Sequence, residues 1–454
     1  MLCSWAKNAA IYHLYPLGAL GAPPIRNPIN SETSNRIRDL YPWLDYFDGF
    51  GVNTLLVGPL QQSSVHGYDV ADYFHVDSRL GTEESLKEFS QDLHGRGLRL
   101  MFDAVFHHTG REFWAFQDVL RNGEGSAYRD WYHLDFSRRS ALGDSFDYEG
   151  WAGHYDLAKL NLRNPAVKEH LFAAVSSWVE HFDVDGLRLD AADRLDPDFR
   201  RELASHCRRL KPDFWLMGEV VHGDYRQWVH PEGLCSTTNY EAYKSLWSSH
   251  NDLNYFELAY SLNRQFGADG IYRGFDLYSF ADNHDVDRVA STLNNPAHLY
   301  PLYVLLMTMP GVPSLYYGSE WGMTGRRTAT SDAELRPALC PKCMAECAPH
   351  PALYEVIKRL LAIRQQNAAL RGGEYTQLYV DHEQFAFMRG DGDGAVVVAV
   401  NSSATASDIS IKLPLTIEGR LRDVLNGGDS FSITGGRCDL PLNACWGRIL
   451  TLNF

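Results

Sequence analysis

Four acidic residues close short apolar segments of this sequence, and carboxyl groups in such positions can donate protons or attack carbon. Asp103 ends LRLMFD, Asp190 ends GLRLD, Glu219 ends FWLMGE and Asp285 ends LYSFADNHD. A single Asp after a strand is usually a helix cap or a turn residue. Four such acids, each with Arg or His nearby, are poorly explained in that way. We therefore treat them as candidates for one catalytic site.

Two carboxyl groups on either side of one bond are what hydrolysis of a glycosidic linkage requires, one protonated and one ionised. Arg188 lies two residues before Asp190, on the same face of the expected strand. We therefore expect its guanidinium to keep Asp190 ionised as the nucleophile. Glu219 follows the apolar segment WLMG, where desolvation favours the protonated carboxyl that an acid/base needs.

The elements that must position these acids are predicted from an alternation of short apolar runs with longer amphipathic ones. Alternating strands and helices predict parallel strands, and eight strands predict a closed barrel whose chemistry lies at the C-terminal strand ends. The predicted strands are Ile11–Tyr15, Thr54–Val57, Leu98–Ala104, Gly186–Leu189, Phe214–Met217, Ser236–Asn239, Leu277–Phe280 and Pro313–Tyr317. The predicted helices are Arg36–Phe50, Glu83–Arg96, Pro165–Phe182, Asp198–Leu210 and Ala297–Met309.

The fold class predicted is α/β, a (β/α)8 TIM barrel with an inserted small domain after strand 3 and a C-terminal all-β domain. The connection after Leu98–Ala104 is far longer than an ordinary crossover, which indicates the insertion. After Gln366 the apolar pattern alternates, with glycine turns, as in β-sheets. We assign residues 1–106 and 165–370 to the barrel, 107–164 to the inserted domain, and 371–454 to a C-terminal β-sandwich.

Composition and charge indicate which classes of partner the protein binds and which cellular compartment it occupies. The chain has 454 residues, 45% of them apolar, with a formal net charge of −15 and no basic run. This charge argues against a nucleic-acid or anionic-membrane partner. We find no secretory signal within Met1–Ala10 and no apolar stretch of about 18 residues that could span a bilayer. Together with scattered cysteines, these observations predict a reduced, cytoplasmic protein.

A cysteine cluster, CPKCMAEC, is the one place where a structural metal is predicted. Cys340, Cys343 and Cys347 have zinc-ligand spacing at the first pair, and His350 could supply the fourth ligand. The alternative is an irregular loop with free thiols. Otherwise the sequence requires no cofactor.

The motifs around the acids resemble those of the α-amylase family of glycoside hydrolases. They occur in the family's order, from about Ile11 to Arg364, and the terminal β domain also fits. Five motifs together make the resemblance specific. They are Asp103–His108 (DAVFHH), Gly186–Asp190 (GLRLD), Gly218–Val220 (GEV), Phe280–Asp285 (FADNHD) and Gly311–Glu320 (GVPSLYYGSE).

The resemblance implies a role for each matched side chain. Asp190 is the implied nucleophile, Glu219 the acid/base, and Asp285 the carboxylate that stabilises the transition state. Arg188 would hold the nucleophile, and Asp103 would be a structural acid. The remaining implied substrate contacts are His108 and His284 on sugar hydroxyls, Tyr68 stacked under the same sugar, and Arg336, in ELRP, supporting the pocket.

Two segments resemble the cyclomaltodextrinase, neopullulanase and maltogenic amylase subgroup: Lys159–Asn161 in HYDLAKLN, and Glu112–Leu120 with the following Asp130–His133. The resemblance implies action on short maltodextrins, cyclodextrins and pullulan. The first strand begins near residue 11, so we expect no N-terminal β domain of the kind these enzymes use to dimerise. A monomer or weak homo-oligomer is therefore predicted.

Two further departures concern the site. The family usually has a calcium-ligating Asn where this chain has His107, and His is a poor ligand for a hard cation, so we expect no calcium there. After the nucleophile the chain has Ala-Ala-Asp193-Arg194, where the subgroup commonly has an Asn-Glu pair. We expect Asp193 and Arg194 to line the acceptor side, which leaves the choice between α-1,4 and α-1,6 bonds open.

The function predicted is retaining hydrolysis of α-1,4, and possibly α-1,6, glucosidic bonds by double displacement. Two alternatives use the same scaffold: a transglycosylase, such as a glucanotransferase or trehalose-forming enzyme, and an exo-acting α-glucosidase. A non-catalytic glucan-binding protein is disfavoured, because such relatives typically lose one of the three acids and this chain retains all of them.

Overall fold

The computed structural model describes residues 3–27, 33–414 and 419–453. The ends of the predicted barrel and β domains at residues 1–2 and 454, and the segments 28–32 and 415–418, lie outside the described residues.

All eight predicted barrel strands form, each within two residues of its predicted bounds. Hydrogen bonding orders them β6-β5-β4-β3-β2-β1-β8-β7, and a parallel bridge between Thr238 and Tyr278 joins the two edges. The prediction of a closed parallel barrel is therefore confirmed. The strands are β1 Ile11–Leu14, β2 Thr54–Val57, β3 Arg99–Ala104, β4 Gly186–Leu189, β5 Trp215–Gly218, β6 Ser236–Thr237, β7 Tyr278–Phe280 and β8 Val312–Tyr316.

Helices surround the barrel, and most begin at a recognisable signal. Pro165 and Pro197 occupy the first turn of α3 and α4, where a missing N–H costs nothing. Three of these helices, α5, α6 and α8, were not predicted. The helices are α1 Tyr41–Phe50, α2 Glu83–Gly95, α3 Pro165–Phe182, α4 Pro197–Leu210, α5 Tyr240–Asn251, α6 Tyr255–Phe266, α7 Leu299–Thr308 and α8 Pro351–Gln366.

The insertion between β3 and α3 is a small domain, as predicted, and the structure shows that it has its own sheet and helix. Strand His154–Lys159 lies between His108–Gly110 and Gly150–Trp151 in an antiparallel sheet. Helix Trp114–Asn122 covers it, with Phe116 packed edge-on against Tyr132 and Tyr148. Because His108–Gly110 follows β3 almost directly, the small domain is anchored at the C-terminal edge of the barrel.

The C-terminal domain contains a six-stranded antiparallel sheet and a two-stranded one, whose apolar residues form a single core. This confirms the all-β domain. Four of its eight strands were not predicted, since the apolar pattern indicated strands only at Ala395–Val400, Asp408–Leu413, Gly419–Leu425 and Cys445–Leu452. Helix α7, apolar on all sides, lies between this domain and the barrel. The strands are β9 Tyr375–Val380, β10 Gln384–Arg389, β11 Val396–Asn401, β12 Ser407–Lys412, β13 Gly419–Asp423, β14 Ser430–Ile433, β15 Arg437–Leu442 and β16 Trp446–Asn453.

Candidate active site

Asp190 and Glu219 leave the barrel side by side, at the C-terminal ends of β4 and β5. Each continues the strand ladder by one bond, because the Asp190 N–H donates to the Ala104 carbonyl at 3.0 Å and the Glu219 N–H donates to the Leu189 carbonyl at 2.9 Å. The two acids are therefore fixed at the backbone before their side chains make any contact.

A glycine allows the acid/base candidate to sit where it does. A Cβ on Gly218 would lie 2.5 Å from Leu234 Cδ1 and 2.7 Å from the Ala192 Cβ. The second neighbour belongs to the turn after β4, which begins at Ala191 with a left-handed φ of 45°. Close contact between these two strand ends thus requires Gly at the position before Glu219.

One guanidinium contacts three of the four predicted acids. Arg188, only 3% exposed, donates through Nη1 to both carboxylate oxygens of Asp103 at 2.7 and 2.8 Å. The same nitrogen lies 3.4 Å from Asp190 Oδ1, and Nη2 lies 2.9 Å from Glu219 Oε1. Arg188 and Asp103 are direct partners in the β4–β3 register, which explains their close pairing. The structure thus brings Asp103, Asp190 and Glu219 together.

The pKa of Asp190 differs from what the sequence predicts. Burial, reinforced by the negative charge of Glu219, raises the pKa of Asp190 well above its usual range. The prediction that Arg188 keeps Asp190 ionised is therefore wrong where Glu219 is also charged, because the guanidinium lies closer to Asp103 and Glu219. One cation faces three carboxyls, so excess negative charge opposes ionisation of Asp190.

Asp285 is ionised by its surroundings. The Asn283 side-chain oxygen accepts from the Asp285 and Val286 N–H groups, a turn that fixes the carboxylate after β7. His284 Nε2 lies 2.9 Å from Asp285 Oδ2, and Arg336 Nη2 donates to Oδ1 at 3.2 Å. Burial opposes ionisation, but the charges of His284 and Arg336 outweigh it and hold the pKa of Asp285 well below its usual range. The predicted support from Arg336 is thus a direct contact in the structure.

Tyr68 joins the two halves of the site. Its hydroxyl donates to Asp103 Oδ2 at 2.9 Å and lies 2.5 Å from His284 Nε2, with the two rings stacked 5.4 Å apart. The preceding loop is folded around Asp69, whose carboxylate accepts from four consecutive N–H groups, those of residues 64–67. The structure therefore places Asp103, Asp285 and the predicted sugar-stacking tyrosine around one point.

Two imidazoles at the site have ring nitrogens without a partner. His108 Nε2 and His284 Nδ1 are buried and make no hydrogen bond among the described residues. Burial lowers the pKa of His108 to about 3, so this ring is neutral near pH 7. A free ring nitrogen suits the hydroxyl groups of a sugar, which is the role predicted for both residues.

Asp193 and Arg194 lie outside this network. They occupy the short turn Ala192–Arg194 after β4, and Arg194 Nε is 3.6 Å from Asp193 Oδ2. The Arg194 side chain is 70% exposed, so it faces solvent at the mouth of the barrel. This position leaves both residues free to meet a second sugar, and their acceptor-side role stays a prediction.

Two tyrosines of the site were not predicted. The Tyr240 hydroxyl lies 3.4 Å from Glu219 Oε1, and Tyr15 packs under the Arg336 guanidinium at 4.7 Å and parallel to the His284 ring. Tyr15 directly follows β1, and Tyr240 follows β6 by three residues. The rule that selected the acids, a functional side chain just after a barrel strand, would have found both had it been applied to aromatic residues.

The cysteine cluster does not assemble the predicted zinc ligands. Cys340 and Cys343 form a disulfide at the start of the short helix Pro341–Glu346, while Cys347 is a free, exposed thiol. Among the described residues, no group of three His, Cys, Asp or Glu side chains could hold a metal. The expectation of fully reduced cysteines fails here, because C-x2-C spacing at a helix start brings the Cα atoms to 5.1 Å, within disulfide range. Zinc binding stays a prediction that requires the reduced loop.

Comparison with known proteins identifies the family. Residues 37–348 match the model of the α-amylase catalytic domain, and residues 379–441 match that of the α-amylase C-terminal all-β domain. This chain belongs to the α-amylase family. It is therefore a glycoside hydrolase by family, as its motifs indicate.

Comparison with individual proteins shows which members of the family this chain resembles. The chain is 31% identical over 443 residues to a cyclomaltodextrinase of Geobacillus thermopakistaniensis, covering 93% of this chain and 73% of that protein. It is 29% identical to neopullulanase 2 of Thermoactinomyces vulgaris, covering 98% and 78%. A solved cyclomaltodextrinase structure superposes with a TM-score of 0.87 at 25% identity, covering 99% of this chain and 79% of that one. A Nostoc punctiforme debranching enzyme superposes with a TM-score of 0.82 at 26% identity, covering 99% of both chains.

Proposed function

We propose that this protein is a retaining α-glucan hydrolase acting on short maltodextrins and cyclodextrins, with Asp190 as nucleophile and Glu219 as acid/base. The supporting observation is the Arg188 guanidinium, which lies within 3.4 Å of Asp190 and 2.9 Å of Glu219 at the ends of adjacent strands. Asp285, ionised beside His284 and Arg336, completes the set of acids.

The mechanism follows from the charges around each acid. Glu219 protonates the glycosidic oxygen while Asp190 attacks the anomeric carbon, forming a covalent glycosyl-enzyme. With the proton on Glu219, the negative charge of that carboxyl no longer opposes ionisation of Asp190, and the nearby Arg188 stabilises the Asp190 carboxylate. Asp285 binds sugar hydroxyls and favours the oxocarbenium-like state. Water activated by Glu219 releases the α product.

The acids are tested by three isosteric variants: Asp190→Asn, Glu219→Gln and Asp285→Asn. Each is expected to lower hydrolysis of maltotriose by at least about a thousandfold while the circular dichroism spectrum is unchanged. Asp408→Asn is the matched control, because it makes the same change on an exposed acid of the C-terminal domain. Undiminished activity of Asp190→Asn or Glu219→Gln would refute the proposed roles.

The proposed substrate class is based on the subgroup of relatives that this chain resembles. Relatives of this chain are named cyclomaltodextrinase and neopullulanase, and all five family motifs are present in the sequence. A product profile on maltotriose, cyclodextrin, pullulan and starch tests this assignment. Rapid opening of cyclodextrin supports it. Longer oligosaccharides from concentrated maltotriose would indicate a transglycosylase, and release of glucose alone from chain ends an exo-acting α-glucosidase.

We further propose that hydrolysis requires no metal ion. The position of the family's usual calcium-ligating Asn is occupied by His107, and burial lowers the pKa of that imidazole to about 4. A neutral imidazole is a poor ligand for a hard cation. We expect EDTA followed by desalting to leave both activity and melting temperature unchanged. A loss that added Ca²⁺ restores would contradict this proposal.

The compartment and oligomeric state are also proposals. One relative, from Bacillus subtilis, is named an intracellular maltogenic amylase, and no described helix is long and apolar enough to cross a membrane. We propose a cytoplasmic monomer or weak homo-oligomer that binds neither nucleic acid nor membranes. Light scattering over a concentration series tests the assembly: a mass near 51.4 kDa at low concentration is expected, and a stable larger species would contradict it.

A further inference from the structure

A cluster of basic side chains lies where α4 meets the segment 222–234 that follows Glu219. It borders a cleft of about 170 Å³, large enough for about five water molecules and thus for a tetrahedral oxyanion of five heavy atoms. The polar residues that border this cleft are Arg200, Arg201, Gln227 and His230.

Arg200 is the most informative of these residues. Its Nε is buried without a hydrogen-bond partner, and no ion pair or hydrogen bond of its side chain occurs in the described part of the chain. Its guanidinium lies 5.7 Å from the centre of the Trp228 ring, which holds it in place without neutralising it. A half-buried guanidinium with unused donors is costly unless a ligand supplies acceptors.

The other charges around the cleft are of both signs. Burial, together with the guanidinium groups of Arg200, Arg201 and Arg208, lowers the pKa of His230, so three cations converge around a neutral imidazole. Glu232 opposes this effect on His230, and the charges of Asp196 and Asp193 raise the pKa of Arg200 against the effect of its burial. Arg201 is paired with Asp198, and Arg208 donates to two backbone carbonyls of the segment.

The backbone of the segment 222–234 turns back on itself with close packing around Gly233. A Cβ on Gly233 would lie 2.6 Å from His230 Nε2 and 2.5 Å from the Trp228 carbonyl oxygen, so Gly is required where the chain turns back. The Gly233 N–H donates to the His230 carbonyl, and the Leu234 N–H to that of Trp228. The imidazole and the guanidinium are therefore held by packing rather than by a carboxylate.

We propose that this cleft binds a phosphate-class oxyanion, either inorganic phosphate or the phosphoryl group of a small metabolite. Guanidinium groups bind such oxygens with paired, charge-assisted hydrogen bonds, and the imidazole adds a further donor. The formal net charge of −15 repels anions in general, so binding here depends on this local cluster. The site is independent of the hydrolase proposal, and the failure of either leaves the other intact.

Calorimetric titration with inorganic phosphate, at constant ionic strength and with chloride as reference, tests the site on the full chain. We expect binding with one site per chain, weakened about tenfold by Arg200→Gln through loss of paired hydrogen bonds. Arg209→Gln is the matched control, because it removes the same charge from the exposed side of α4. His230→Gln provides a second variant, also expected to weaken binding, should Arg200→Gln fold poorly.

A parallel titration with a hexose monophosphate distinguishes the two sources of the anion. Binding about tenfold tighter than phosphate indicates a metabolite, whereas equal affinity indicates the free ion. The proposal is overturned if neither ligand binds, if Arg209→Gln weakens binding as much as Arg200→Gln, or if binding survives both Arg200→Gln and His230→Gln.

Discussion

Arg188 is the residue on which the geometry of the site most depends. Its two terminal nitrogens lie within 3.4 Å of carboxylates on three consecutive strand ends, those of Asp103, Asp190 and Glu219. A lysine carries the same charge but is a point donor that cannot hold three acids in fixed positions. The planarity of the guanidinium, more than its charge, therefore orders the site.

Replacing Arg188 with lysine keeps the positive charge but removes the planar guanidinium, so it tests which of the two the site requires. Arg188→Lys is expected to lower kcat for maltotriose about a hundredfold, the loss for hydrogen bonds to charged groups, with little change in secondary structure. Arg437→Lys, at an exposed position of the C-terminal domain, is the matched control and should retain full activity. Equal activity of Arg188→Lys and the wild type in steady-state kinetics would show that the positioning argument is wrong.

Among the elements, the junction between β4 and β5 is the most constrained part of the barrel. Gly218 is fully buried in β5, directly before Glu219, and its neighbours leave no room for a side chain. Ala192 offers no flexible side chain that could move aside. The position of Glu219 thus depends on close backbone packing as well as on Arg188.

Gly218→Ala tests that packing. Overpacking is expected to lower the free energy of unfolding by about 1–3 kcal/mol and to reduce kcat as Glu219 is displaced. Gly95→Ala is the control, because a Cβ there would meet nothing within 4 Å. Urea unfolding followed by tryptophan fluorescence measures both variants. A Gly218→Ala protein as stable and active as the wild type would contradict the proposed constraint.

The elements also show which information is local in the sequence. The barrel strands were predicted because buried parallel strands are short apolar runs, readable without neighbours. Helices α5 and α6 were missed because β6 before them has only two residues and gives a weak pattern. The order of the C-terminal sheet, in which β16 lies between β11 and β13, depends on pairing between distant segments.

The same distinction between local patterns and contacts between distant residues applies to the candidate active site. The acids were predicted from their positions at strand ends, but the sequence did not predict that the pKa of Asp190 is raised. Spacing showed that Arg188 and Asp190 share a strand face. It could not show that Asp103, 85 residues earlier in the chain, takes the shortest bonds of the guanidinium. Local patterns identify the candidate catalytic groups, whereas the charge states of these groups depend on contacts between strands.

For the whole molecule, burial of neutral histidines couples stability to pH. Burial lowers the pKa of His250 and of His108 to about 3, and that of His107 to about 4. An unfolded chain protonates these rings near pH 6.5, so it binds more protons than the folded state below that pH. Their contribution to stability is complete above pH 6.5 and is lost as pH falls towards 3.

His250→Asn isolates one of these contributions. His250 is far from the acids, with its ring between the Leu246 carbonyl and the Tyr255 hydroxyl. The variant is expected to be less stable at pH 7. At pH 5 its stability should change less steeply with pH than that of the wild type, by about 1.4 kcal/mol per pH unit. Urea unfolding between pH 5 and pH 7 measures the slopes, and identical slopes would contradict a buried neutral His250.

The most direct measurement is the capture of a covalent glycosyl-enzyme. Glu219→Gln, incubated with α-maltosyl fluoride, can form the intermediate because fluoride leaves without a proton, but cannot activate water to release it. Mass spectrometry of the digested protein should find one maltosyl group on the peptide, attached to Asp190. An unmodified Asp190, together with β-maltose as the first product of the wild-type enzyme, would contradict the retaining mechanism.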